Sequence, residues 1–492
     1  MAEQLLEPML VNTGDDSNPV SVGQAILDGY APDNELYTFS EYPQITAEEL
    51  TGLSGESYAA IFYTVTKKLL GSAMPDEVLR STADIAYSLD NFDLDEDDHN
   101  LRFTTLPSGI HVVGLSDGPT GAFKDMAMQP FARWMSHLQA ETGKPLTILL
   151  STSGDTGPAA LNAFGGLANT EIINMLPEAG VSAFQWSQMA ELANTEGIHV
   201  LEVGGDFSYI NDLHMEADLA YDLGSVNSVN IARIIAQVPY YAASYIKAVE
   251  REGLQIGDPV DVSVPSGNFG NALSAIIARK MGVPLRKIIV ATNENNTLDT
   301  LMSTGVFKLS EFQHTDSSAQ DVRMPSNVWR YFAMAFGNDP EKIGQVYHKL
   351  KEFGSVAMSE IGVVDTGLNE GILSATISAA QRRQTIRYIY DTSKKRIMID
   401  PHTANGVAAI TQLGVGVRDK DIPVLSMETA KPFKFNETME SILGVVPPRP
   451  ERFQGLEEQQ AGTILTKIAN ATELLAYLRD HTKAKPKSHQ GQ

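Results

Sequence analysis

Three short segments carry residue types and spacings that could do chemistry. The first is Gly118-Pro119-Thr120-Gly121-Ala122-Phe123-Lys124-Asp125, which sets a lysine on the first turn of an apolar helix. The positive end of the helix dipole and partial burial both disfavour an ammonium there, so the Lys124 pKa should fall, and a neutral lysine is a nucleophile toward aldehydes. A surface lysine would fit the same residues. The second is Val264-Pro265-Ser266-Gly267-Asn268-Phe269-Gly270-Asn271, where a strand enters a turn of small residues and then a helix. Free N–H groups and the helix dipole converge in such a turn, which suits a phosphate. A structural turn with glycine at positive φ fits equally well. The third, Ser151-Thr152-Ser153-Gly154-Asp155-Thr156-Gly157, offers hydroxyls and N–H groups at another helix start and could hold a carboxylate. A helix cap by Ser153 or Asp155 is the competing reading. Taken together, a phosphate cradle, a carboxylate nest and a lysine of lowered pKa meet the needs of an amino-acid substrate and of an aldehyde cofactor bearing a phosphate, pyridoxal 5′-phosphate.

These segments need strand ends to hold them. From about residue 105, short apolar runs alternate with helix-like stretches of ten to twenty residues. Strands are expected at Ile110 to Leu115, Thr147 to Leu150, Ile172 to Leu176, Ile198 to Val203, Val260 to Val264, Lys287 to Ala291, Arg396 to Ile399 and Val424 to Ser426. Helices are expected at Phe123 to Glu141 and Gly157 to Phe164. The alternation predicts an α/β fold with open parallel sheets, which places ligands at the carboxyl ends of the strands. Residues 1–104 read as a mainly helical N-terminal domain, with helices at Ser57 to Leu70 and Pro75 to Leu89. Residues 105–245 read as the lysine-bearing α/β domain, 246–480 as the α/β domain with the phosphate loop, and 481–492 as a disordered tail. The acidic run Asp90 to Asp98 lacks the glycine and the glutamate of a calcium loop and reads as a solvated loop.

Composition narrows the classes. The chain of 492 residues has 37 Lys plus Arg against 61 Asp plus Glu, a net charge of −24, so it should repel nucleic acid. The pairs Arg382-Arg383 and Lys394-Lys395-Arg396 read as solvated surface. There is no cysteine, which excludes disulfides and thiolate metal sites. Ten histidines include no HExxH, and no catalytic metal is expected. His402 reads as a loop hydrogen-bonder, Tyr240, Tyr241 and Trp134 read as packing residues, and Ser153 has no histidine partner for a hydrolytic triad. Neither a signal peptide nor an apolar run long enough to span a bilayer is present, and a cytoplasmic protein is expected, monomeric or homodimeric, acting on a small-molecule amino acid.

The order of the motifs resembles that of threonine synthases, in the longer form of the family with an extra N-terminal domain. Gly118 to Asp125 is similar to the family's cofactor-lysine segment, Thr152 to Gly157 to its Thr-Ser-Gly-Asp-Thr-Gly, Pro265 to Asn271 to its phosphate loop, and Ala291 to Asn295 to its Ala-Thr-Asn-Glu-Asn. Gly224 to Ser228 with Ala232-Arg233, Asp400 to Ala404, Thr429-Ala430 with Pro432 and Lys434-Phe435, and Val22 to Tyr37 also resemble family segments. The resemblance implies a fold-type II pyridoxal-phosphate enzyme, related to the β subunit of tryptophan synthase. It would act through a Schiff base on Lys124, converting O-phospho-L-homoserine and water to L-threonine and phosphate. It further implies that the backbone from Gly267 through Asn268, Phe269 and Gly270 to Asn271 holds the cofactor phosphate, that Asp155 lies near the phenolic oxygen, and that Thr429 meets the pyridine nitrogen. Thr152, Ser153, Gly154 and Thr156 would take the substrate carboxylate, with Arg233 also binding substrate.

Several positions depart from the family pattern: Ser116, Asp117, Ser208, Tyr209, Ile231, Asn405 and Lys431. The altered segments are expected to lie nearer the substrate than the intact cofactor motifs do. Asp117 would repel a phosphorylated substrate unless paired, with Lys431 or Arg233 as partner. A related enzyme eliminating or replacing the substituent of another amino acid is the alternative, and a non-catalytic protein that keeps the fold is a third reading.

Overall fold

Strands buried on both faces form the centre of a computed structural model, which describes residues 8–152, 154–177, 182–205, 207–363, 370–416, 419, 421–456 and 465–487. Every residue of Val260–Pro265 and of Thr170–Pro177 is buried. Such strands read as unbroken apolar runs because parallel sheets are covered by helices on both sides. The larger sheet runs in the order Ile372–Thr376, Leu285–Thr292, Val260–Pro265, Val424–Glu428, His111–Gly114 and Phe103–Thr105. All its pairs are parallel except the last, where Phe103–Thr105 forms an antiparallel edge. The smaller sheet is parallel throughout, in the order Thr466–Ile468, Ile198–Val203, Thr170–Pro177 and Leu146–Ser151. The α/β class with a largely helical N-terminal region is therefore as the alternation predicts. Two strands, however, lie apart from their sequence neighbours: His111–Gly114 joins the larger sheet and Thr466–Ile468 the smaller.

Three local expectations are corrected. Arg396 to Ile399 is not a strand: Arg396 is left-handed at φ 52, and the Ile397 N–H donates to Ser393 Oγ at 2.7 Å. Ile399 supplies an apolar side chain to the core without joining a ladder. The N-terminal region also holds a three-stranded antiparallel sheet of Met9–Asn12, Val20–Ser21 and Tyr37–Phe39. Its acidic run is not merely solvated, because Lys247 Nζ lies 2.9 Å from Asp95 and 2.8 Å from Asp98, docking the loop on the Val238–Glu252 helix. The tail is ordered as far as 487, with Lys485–Pro486 paired antiparallel to Tyr221–Asp222; residues 488–492 lie outside the described residues.

The helix Tyr58–Leu70 packs against Val238–Glu252, and Phe62 stacks on Trp134 with ring centroids 5.8 Å apart. Among the described residues, no helix is long and apolar enough to cross a membrane.

Candidate active site

The three segments meet in one cleft. It is lined by Lys124, Asp155 and Thr156, by Gly267 to Asn271, and by Thr429 among others. The phosphate loop shows why this chain suits an anion. The Gly270–Lys280 helix starts at Phe269, which is left-handed at φ 66, and no side chain caps it. Its first N–H groups therefore have neither a previous turn nor a cap to bond. Asn271 Oδ1 accepts from Tyr240 at 2.5 Å and from Tyr241 at 2.6 Å, while its Nδ2 is buried without a partner. A buried orphan donor beside an uncapped helix start is what a phosphate would satisfy. Tyr240 and Tyr241, expected only to pack, thus also fix the orientation of this amide.

Gly267 is required by space. A Cβ there would stand 2.7 Å from the Ala319 carbonyl oxygen. Gly267→Ala is expected to weaken binding of pyridoxal 5′-phosphate at least about tenfold, equivalent to about 1.4 kcal/mol, as read by titration of the cofactor-free protein. Unchanged affinity would show that this turn does not approach the cofactor.

Lys124 precedes the Asp125–Glu141 helix, and burial drives its pKa down to about 8, against the attraction of Asp155 and with help from Arg233 and Lys434. The depression inferred from the sequence is present, with burial as its main source. Asp155 does not cap the Thr156–Phe164 helix. Its carboxylate is held instead by Lys434 Nζ at 2.8 Å and Gln185 Nε2 at 2.9 Å, with Lys124 Nζ at 3.9 Å. Burial would raise the Asp155 pKa, but Lys434 and Lys124 outweigh it and hold the group well below the usual carboxylate range. Lys434 also donates to the Thr120 carbonyl at 3.0 Å. On the far side of that loop, the Thr120 N–H and hydroxyl each bond Asp125 at 2.8 Å.

Arg233 lines the cleft, 5 % exposed, with Nη1 on the Val226 carbonyl at 3.3 Å and Nε without a partner. It has no carboxylate partner among the described residues, and burial lowers its pKa to about 10. It is a cation placed for an anionic group. Thr429 also lines the cleft, and its carbonyl accepts from the Phe123 N–H at 3.0 Å. His402 bonds Asp400 Oδ1 through Nδ1 at 2.8 Å and accepts from the Ala319 N–H through Nε2 at 3.0 Å, the structural role expected of it.

Not every expected residue reaches the cleft wall. Thr152 and Gly154 bond each other at 3.2 Å and are absent from the lining; Ser153 lies outside the described residues. Ser151 has a histidine neighbour, His214 Nδ1 at 2.7 Å, and neither lines the cleft. Ser228, Gln237, Ala319 and Gln320 do line it, and sequence reading singled out none of them for this role. Gln320 donates to the Ser266 and Ala291 carbonyls at 3.2 and 2.9 Å and so braces the phosphate loop.

Among the described side chains, the altered positions are not lining residues. Ile231 is buried in the core. The Tyr209 hydroxyl bonds the Ala469 carbonyl at 2.9 Å, and the Ser208 side chain lies outside the described residues. Asn405 accepts from Arg382 at 3.2 Å and donates to Gln320 at 2.7 Å. Arg382 itself is fully buried against Asp316 and Glu294, contrary to the solvated reading. Asp117 pairs with Lys431 at 2.6 Å, the first of the two partners expected for it. Among the described side chains, none of these positions stands on the cleft wall.

The chain is similar to known proteins over most of its length. Residues 10–87 match the family described as threonine synthase N terminus, and residues 403–476 match threonine synthase, C-terminal. The chain is 34 % identical to a threonine synthase of Methylobacillus glycogenes over 91 % of this chain and 94 % of that one. It is 32 % identical to one of Corynebacterium glutamicum, covering 91 % and 93 %. The crystal structure of pyridoxal-phosphate-bound threonine synthase from Brucella melitensis superposes with a TM-score of 0.88 at 29 % identity, covering 96 % of this chain and 99 % of that one.

Proposed function

The chain belongs to the threonine synthase family, and on that premise we propose that it converts O-phospho-L-homoserine and water to L-threonine and phosphate with pyridoxal 5′-phosphate as cofactor. The observation that carries the proposal is the shared cleft: a buried lysine of lowered pKa faces the same space as an uncapped helix start with an orphan amide donor. When bound, the cofactor supplies an aldehyde that takes an amine and a ring that spreads negative charge from substrate carbons.

The chain's own residues do the rest. The backbone from Gly267 to Gly270 and Asn271 Nδ2 would hold the cofactor phosphate, Thr429 would meet the ring nitrogen, and Asp155 would lie by the phenolic oxygen. Lys124 Nζ takes a proton from the substrate's Cα, then one from Cβ, and returns protons as phosphate leaves Cγ and water adds at Cβ. Its value of about 8 lets it accept and release a proton near neutral pH. Thr156, which lines the cleft, takes the substrate carboxylate. Arg233 offers a buried positive charge to the anionic substrate, and burial in a dry cleft strengthens that attraction. Residues 105–245 and 246–480 form the two α/β domains about the cleft, with the strands His111–Gly114 and Thr466–Ile468 exchanged, and residues 1–104 the N-terminal one. The protein works in the cytoplasm as a monomer or homodimer, which sedimentation distinguishes.

The test is to incubate cofactor-loaded protein with O-phospho-L-homoserine, follow phosphate, and identify the amino-acid product by NMR. Equal amounts of phosphate and threonine are expected. Phosphate with 2-oxobutyrate would make the enzyme an eliminating one. No turnover with bound cofactor would assign another substituted amino acid as substrate.

A further inference from the structure

We propose that Lys431 is a positioning residue for the active lysine, clamping the loop that ends in Lys124 to the strand end that carries Thr429. The inference rests on the cofactor reading of the cleft. Lys431 Nζ lies 2.6 Å from Asp117 Oδ1 and 3.0 and 3.1 Å from the two carboxylate oxygens of Glu428. Asp117 begins the loop that runs to Lys124, and Glu428 ends the strand Val424–Glu428, next to Thr429. One ammonium therefore bonds both elements.

The backbone repeats the connection. The Lys431 N–H donates to the Gly121 carbonyl at 3.1 Å, the Phe123 N–H donates to the Thr429 carbonyl at 3.0 Å, and Ala122 and Ala430 form an antiparallel bridge. Asp117 has no freedom to move away. Its carbonyl accepts from the Asp93 N–H at 3.0 Å and from Arg452 at 2.9 Å, and a Cβ on Gly114 would stand 2.2 Å from its Oδ2. Gly114 is the strand partner of Glu428, so the ion cluster spans the carboxyl ends of two neighbouring strands of the larger sheet.

Electrostatics explain why the cation is needed. Without it, Asp117 and Glu428 would be two carboxylates facing each other in a buried place, near a third, Asp400. Burial, with the charges of Asp117 and Asp400, raises the Glu428 pKa to about 7 even against the pull of Lys431. Removing Lys431 would leave the buried acids without a common cation, and the loop and the strand end would lose the side chain that joins them. Neither Asp117, Glu428 nor Lys431 lines the cleft, so the effect reaches the chemistry only through the placement of Lys124 and Thr429.

The experiment compares cofactor-loaded parent, Lys431→Met, Lys431→Arg and the double variant Glu428→Gln/Lys431→Met. Measured are kcat, KM, pyridoxal 5′-phosphate affinity, melting temperature and the visible circular dichroism of bound cofactor, which reports its orientation. Lys431→Met is expected to lose at least about tenfold in kcat with KM changed less than about threefold, because small misplacements of a reacting group cost this much. The visible dichroism should weaken, and Lys431→Arg, which can still reach both carboxylates, should recover most of both. If Lys431→Met does not fold, the double variant carries the test with one buried carboxylate fewer and the same expected loss. A folded variant that melts lower but keeps parental kcat and dichroism would overturn the proposal and leave Lys431 a stability element. If O-phospho-L-homoserine is not the substrate, the dichroism and cofactor affinity still decide the clamp separately from the reaction.

Discussion

Lys124→Ala is expected to lower kcat by on the order of 10⁴-fold while leaving the protein folded, since one side chain supplies both the nucleophile and the mobile proton. The loss should not come from instability. The folded pKa of Lys124, about 8, lies below its ordinary 10.5, because burial penalises the ammonium. For a cation shifted downward, the unfolded chain holds the extra proton between those values. The penalty is therefore full below pH 8 and fades as pH rises from 8 to 10.5. At pH 7 the alanine variant escapes a cost of up to about 3 kcal/mol and should melt at or above the parent temperature. Asp155 remains compensated, because Lys434 stands 2.8 Å from it and Lys124 only 3.9 Å. Residual turnover within tenfold of the parent would remove Lys124 from the mechanism. A large drop in melting temperature would mean that the Lys124–Asp155 contact holds the fold more than its length suggests.

What the sequence makes legible follows from how local each signal is. Strand, turn and helix start lie within eight residues around Gly267, so the phosphate loop is visible in one window. The same holds for Lys124 at the start of its helix. The supports of these groups come from far along the chain. Tyr240 and Tyr241 orient Asn271 across about thirty residues, Gln320 braces Ser266 across 54, and Lys434 reaches Thr120 across 314. Nothing in the spacing of a tyrosine pair on a helix distinguishes packing from holding an amide. Charge gives a partial signal: an acid at Asp117 beside a buried lysine demands a partner, and Lys431 is one of the two cations that demand brings forward, the other being Arg233. The same reasoning applied to Arg382 would have found Asp316 and Glu294, because a cation on the apolar side of a helix must be paired. Reading Arg382-Arg383 as one patch hid that only Arg383 reaches solvent, at 41 % side-chain exposure.

Lys434→Met should produce the second large effect, on stability and on the pH dependence of the site together. Lys434 and Asp155 are 1 % and 2 % exposed, and the pair is 2.8 Å long. Deleting one partner of a buried pair leaves an uncompensated charge and costs about 3–5 kcal/mol. The cost should depend on pH with a definite sign. Asp155 is held below its ordinary 3.8, so its contribution is present above that value and is lost as pH falls from there through the lower folded value. The stability gap between parent and variant is therefore widest near neutrality and narrows below about pH 4. The second consequence falls on Lys124. Arg233 and Lys434 both push its pKa down, while Asp155 pulls it up. Without Lys434, one depressing charge is gone and Asp155 is left to Lys124, so the Lys124 value rises from about 8 toward its ordinary range. The rate at which cofactor-free protein captures pyridoxal 5′-phosphate depends on the neutral amine. In the parent it should climb with pH to a plateau above about 8; in the variant the same climb should sit at higher pH. Lys434→Arg, which keeps the charge, should restore the position of the climb. A variant with parental stability and an unmoved capture curve would show that Lys434 does not set the electrostatics of the cleft, and the low value of Lys124 would then rest on burial and Arg233 alone.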